Sequence, residues 1–133
     1  MASGIYNRFK ANLMNKVVDL EADTIIVSLY DNSHAFTATD TDYTTTNELA
    51  STGGYTQGTK ALANGTVTEA ATTYWDADDT SWTSATFTAY HAVIWDSTAG
   101  NDLICSIDFG GAQAVSAGTF TISWHSNGII SLA

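Results

Sequence analysis

From Lys60 onward the chain is a succession of short runs in which β-branched and aromatic residues alternate with Thr, Ser and Ala: KALANGTVTEAATTYW, SWTSATFTAYHAVIW, LICSIDFG, TFTISWHS and GIISLA. A period of two sends successive side chains to opposite faces of a pleated strand, one dry and one wet, and these residue types suit that half-buried surface. The intervals carry turn chemistry at Asn64-Gly65, Ser97 to Asn101, Gly110-Gly111, Ala117-Gly118 and Asn127-Gly128. Gaps this short join antiparallel neighbours. The last pair, TFTISWHSNGIISLA, reads as a hairpin with Asn127-Gly128 at its tip. Earlier, TIIVSLY has the length and β-branched content of a buried strand. The expected fold is mainly β, an antiparallel β-sandwich or jelly-roll-like domain.

One segment breaks the pattern. In GIYNRFKANLMNKVVDL, residues 4–20, Ile5, Phe9, Leu13 and Val17 fall four apart, with Tyr6, Met14 and Leu20 widening the same side. That spacing predicts an N-terminal amphipathic helix, with Ser3 available as its cap. Residues 1–22 are therefore read as a helix or arm and 23–133 as the β body of a single domain, a size ordinary for one core. The helix packs on its own body or docks on a neighbouring subunit, and Ile5, Phe9, Lys10, Leu13 and Lys16 are the candidate interface residues. Asp31 to Tyr55 is a long polar passage with one helical turn expected at Thr46 to Ala50, of the kind that carries binding or interfaces.

Charge narrows the functional classes. The net charge is −10, and Arg8, Lys10 and Lys16 lie in the first sixteen residues, leaving Lys60 as the only later basic residue. An anionic body repels phosphate backbones, so a nucleic-acid partner is not expected. No run approaches the ~20 apolar residues of a membrane-spanning helix, and the N-terminus lacks a signal-peptide pattern, so no membrane partner is expected and synthesis is placed in the cytoplasm. Cys105, in LICSI, has no partner for a disulfide and reads as a small core residue.

The stretch YWDADD places Asp76, Asp78 and Asp79 beside two tryptophans, Trp75 and Trp82. Counted from Asp76 as a calcium loop, the sixth position is Ser81 where Gly is required, and the twelfth is Phe87 where a bidentate Glu is required. Paired-carboxylate hydrolysis needs acids across a groove, not neighbours on one turn. These aspartates read as turn acids accepting backbone N–H bonds. His34, His91 and His125 show no metal spacing, no GxSxG elbow occurs, and no Gly-rich phosphate loop is present. No catalytic, cofactor or metal site is expected, and the chain reads as a non-enzyme.

The runs ASGIYNRFKANLMNKVVDLEADTI, LYDNSHAFTATD, DADDTSWTSATFTAYHAVIWDSTA and LICSIDFGGAQAVSAGTFTISWHSNGIISL resemble small virion structural proteins of tailed bacteriophages. The resemblance covers both ends and most of the chain, and it brings no catalytic motif. It implies a capsid decoration or cement protein on the virion exterior that binds the major capsid protein and associates with itself, as a trimer. A tail, baseplate or fibre-associated host-binding module is the alternative.

Overall fold

The computed structural model describes residues 3–133. The chain is mainly β, with β1 (Gly4–Ile5), α1 (Asn7–Met14), β2 (Ile25–Tyr30), β3 (Thr66–Thr68), β4 (Thr73–Asp76), β5 (Thr80–Asp96), β6 (Asp102–Ile122) and β7 (Ile130–Leu132). One sheet has the order β1-β6-β5-β2 and the other β3-β4-β7, and every pairing is antiparallel.

The β5–β6 hairpin dominates, with strands of 17 and 21 residues. Its register runs from Asp96↔Asp102 at the turn to Thr80↔Ile122 at the far end. LICSIDFG and TFTI, expected as separate strands, are one strand. Gly110-Gly111 and Ala117-Gly118 sit at irregularities within it, not at turns: pairing passes from His91↔Asp108 to Ala89↔Gln113, so residues 109–112 bow out opposite Tyr90. Positive φ at Gly110, Gly111 and Ala117 serves a bulge as readily as a turn.

The expected C-terminal hairpin is also corrected. The chain does turn before Gly128, whose N–H donates to the His125 carbonyl at 2.8 Å. However, β7 pairs with β4, from Thr73↔Leu132 to Trp75↔Ile130. Trp124 explains the change of partner. Its backbone N–H donates to Asp79 Oδ1 at 3.1 Å and its indole N–H to the Asp78 carbonyl at 3.0 Å. That anchor stops β6 and directs the chain across to the other sheet.

The helix expected over 4–20 is confined to Asn7–Met14. Ahead of it, Gly4 and Ile5 pair with Ser106 and Cys105, and the Tyr6 N–H donates to the Ile104 carbonyl at 3.0 Å. A side chain at position 4 would collide with the Phe36 ring, so the glycine permits the close packing there. Ser3 does not cap the helix; its Oγ accepts the Asp108 N–H at 2.8 Å. At the other end Lys16 adopts φ +59° and Val17 N–H donates back to the Asn12 carbonyl at 2.9 Å, a left-handed stop. Val17, counted on the apolar stripe, is exposed.

Two hydrophobic clusters form. The larger joins Phe9, Val27, Leu29, Ile94 and Ile104 to Trp75 and Ile130 of the smaller sheet. The second comprises Tyr6, Ile26, Tyr30, Val93, Trp95 and Leu103, with Phe36 and Tyr43 of the 31–55 loop packed against it. All six residues of β2 are buried although it ends the strand order. Loop backbone runs along its outer edge: Val27 N–H donates to the Lys60 carbonyl, Leu62 N–H to that of Ile25 and Leu49 N–H to that of Leu29.

Candidate interaction surfaces

The 31–55 loop closes over the second cluster and leaves a cavity of about 540 Å³ whose lining includes Tyr6, Tyr30, His34, Asp40, Tyr43 and Asn47. Its chemistry is directed at holding the loop. Glu48, 7% exposed, accepts hydrogen bonds from the Tyr43 and Tyr55 hydroxyls and, at 3.1 Å, from the Gly58 N–H. Tyr55 in turn accepts the Leu29 N–H at 2.8 Å, and the Tyr43 ring stacks on Trp95 with centroids 4.0 Å apart. A buried carboxylate is tolerable only when its oxygens are satisfied, and three donors converge on this one. Burial, then the Glu48 carboxylate, raises the pKa of Tyr43 and Tyr55, so both keep their protons and remain donors. Tyr6 is pushed up to about 12, chiefly by burial.

Beside this hub, His34 Nε2 lies 3.0 Å from Ser106 Oγ, and the His34 and His91 rings stand 5.0 Å apart at their centroids. Ser106 is 1% exposed, so a substrate carbonyl has no approach to its hydroxyl. Burial lowers the pKa of both histidines, and their mutual repulsion lowers that of His34 further. Neither ring nitrogen of His91 has a hydrogen-bond partner among the described residues; Asp108 Oδ1 is 3.8 Å from Nδ1. The pair favours the neutral state and acts as packing.

The aspartates of YWDADD hold turns. Asp76 Oδ1 accepts the Ala77 N–H at 2.9 Å, Asp78 Oδ2 accepts the Asn64 amide, and Asp79 Oδ1 takes Trp124 as described. Cys105 is buried, and burial pushes its thiol up to about 12.

The N-terminal candidates are divided by the structure. Phe9 is buried at 2% exposure in the chain's own core, and Ile5 and Leu13 are half-buried against it. Lys10 and Lys16 are exposed. Between them, the buried Asn12 donates to Asp102 Oδ2 at 2.7 Å and Arg8 pairs with Asp102 Oδ1 at 3.3 Å, tying the helix to the start of β6. An eight-residue helix held by this network and by β1 is part of the body.

The opposite end of the hairpin presents a different surface. Trp82, Phe87 and Phe120 form an aromatic ladder, with Phe87 and Phe120 centroids 5.1 Å apart, Phe109 at its side and Tyr55 beneath. Phe87, Phe109, Val115, Phe120 and Ile122 are only half-buried. A shallow groove of about 340 Å³ runs between Phe109, Gln113, Phe120, Thr121 and Ile122. From Phe109 to Ala133 the chain carries no Asp, Glu, Lys or Arg, an uncharged surface on a body of net charge −10. That run was the available sequence signal for this surface. No family model, curated protein or solved structure matches the chain.

Proposed function

We propose that the chain is a non-enzymatic virion structural protein of a tailed bacteriophage, a capsid decoration or cement protein that binds the exterior lattice of the major capsid protein. The observation that carries this reading is the far half of the β5–β6 hairpin, half-buried aromatics on an uncharged ribbon, which suits protein contact better than small-molecule chemistry. The polar groups elsewhere support it, because Glu48, Asp102 and the YWDADD aspartates are engaged in holding the fold. The sequence resemblance supplies the virion setting. Two antiparallel sheets sharing one apolar cluster agree with a sandwich-like body. A ligand selective for the assembled shell stabilises it by mass action, which is the benefit such a protein brings to a capsid under DNA pressure.

The test is co-sedimentation of the purified chain with expanded capsids assembled from the major capsid protein of the same phage. Saturable binding at a copy number set by the lattice, with a raised capsid melting temperature, is expected. Absence of capsid binding, with the chain found in tails at tens of copies or fewer, would replace this reading by the tail or baseplate one.

A further inference from the structure

The outer edge of β6 is open over its far half, whereas loop backbone covers the outer edge of β2. Loop backbone bonds along β2, and the far half of β5 is met by Gly53, whose carbonyl accepts the Thr86 N–H at 2.8 Å. Gly53 has φ +62°, and a Cβ there would run into the Thr86 carbonyl, so this cover depends on the glycine. On β6, cover ends early. Leu103 N–H reaches the Thr41 carbonyl, β1 pairs with Cys105 and Ser106, and Asp108 N–H reaches Ser3 Oγ. From Gln113 to Ile122 no strand or loop backbone lies beyond it among the described residues. Edge strands are ordinarily blunted by charge, Pro or bulges. Here the bulge around 109–112, the kink at Ala117 and a register shift between Gly118 and Phe120 interrupt the edge, and Phe120 to Ile122 keeps a regular register opposite Trp82 to Thr80.

We propose that a second copy of this chain pairs along β6 at Gly118 to Ile122, antiparallel to itself across a two-fold axis. This inference deepens the structural role proposed above and rests on it for its setting. Three observations select a second copy. Like bodies of charge −10 repel least through an uncharged strip, and this edge lies in one. Pairing of the β6 edge with the same edge of a copy is isologous and closes as a dimer, not the trimer implied by the sequence resemblance. The groove is walled by Phe109, Phe120 and Ile122 of this same strand, so a two-fold contact along β6 brings the two apolar walls together.

A strand of five residues makes a small interface, so the free dimer dissociates readily and gains strength when a lattice holds two copies close. The experiment is sedimentation of the full chain from about 1 µM to about 1 mM, with Thr121→Asp, Thr121→Lys and an equimolar mixture of the two. Thr121 is exposed, and unchanged melting temperatures establish that both variants fold. The expected result is a concentration-dependent rise from 14.1 kDa to twice that mass, abolished in each variant and restored at least tenfold in the mixture by opposite charges. A chain monomeric throughout, a trimer, or a dimer indifferent to both substitutions overturns the proposal. Capsid binding by a chain that stays monomeric would remove this contact and leave the lattice role standing; dimerisation without capsid binding would do the reverse.

Discussion

The two halves of the β5–β6 hairpin are the same ladder in different surroundings. Near the turn, His91 to Trp95 and Leu103 to Ser106 are buried on both faces, by the larger cluster on one and by the 31–55 loop on the other. At the far end, one face packs on Trp82 and Tyr55 while alternate residues such as Thr119, Thr121 and Ser116 are exposed. Composition changes with the surroundings: both faces apolar in AVIW and LIC, apolar alternating with Thr in GTFTI. A continuous hydrophobic run marks a strand covered twice, and strict alternation marks one left with a free face. The near half holds the fold together, and the far half is available to a partner.

Substitutions grade this contrast. The largest effect is expected at Trp95, 4% exposed, stacked on Tyr43 and donating its indole N–H to Ser28 Oγ at 3.1 Å. Trp95→Ala should cost about 3–5 kcal/mol in urea unfolding. Glu48→Ala comes next, because it leaves two tyrosine hydroxyls and the Gly58 N–H without their acceptor; about 2–4 kcal/mol is expected, with the loop opening to limited proteolysis before the core melts. Loss of stability with no change in loop protection would mean that Glu48 does not hold the cover.

Two buried titratable groups near the turn give opposite pH limbs. Burial, then the Asp23 carboxyl, raises Asp96 to about 7, so the folded chain keeps a proton that the unfolded chain loses. Its contribution is full below the unfolded value near 3.8 and is lost as pH rises towards 7. Asp96→Asn preserves an acceptor for the Thr98 and Ala99 N–H groups and should raise stability at pH 8 by about 1–2 kcal/mol. His91 has the reverse sign. Its lowered pKa means that stability is present above the unfolded value of 6.5 and declines in acid, by at most about 1.4 kcal/mol per pH unit. His91→Leu should flatten that limb in thermal melts between pH 7.5 and 5, leaving the part due to His34. The smallest effect belongs to the far half: Thr119→Ala should change monomer stability by no more than about 0.5 kcal/mol.

The near half was the more legible in sequence, for a physical reason. TIIVSLY and AYHAVIW are apolar on both faces, a signal independent of what covers them, and both are buried strands. The far half reads as separate pieces because Gly110-Gly111 and Ala117-Gly118 are turn formers, and local chemistry does not distinguish a hairpin tip from a bulge inside a ladder. The sequence overextends the helix because the four-residue spacing of Ile5, Phe9, Leu13 and Val17 continues beyond the left-handed stop at Lys16. The 31–55 cover reads as a loop in sequence, and its part in a core is hidden there. Phe36, Tyr43 and Glu48 are isolated in polar sequence, and their partners Tyr6, Trp95 and Tyr55 lie elsewhere in the chain.

Residue-resolved amide hydrogen exchange along β5 and β6 in the dilute protein tests the contrast most directly. The account predicts strong protection for Ala92 to Trp95 and Leu103 to Ser106, and fast exchange for the alternate amides of Gln113 to Ile122 that point away from β5. Slow exchange at all amides of Gln113 to Ile122 in a chain shown to be monomeric would contradict it, because the outer edge of β6 would then be covered by the chain itself.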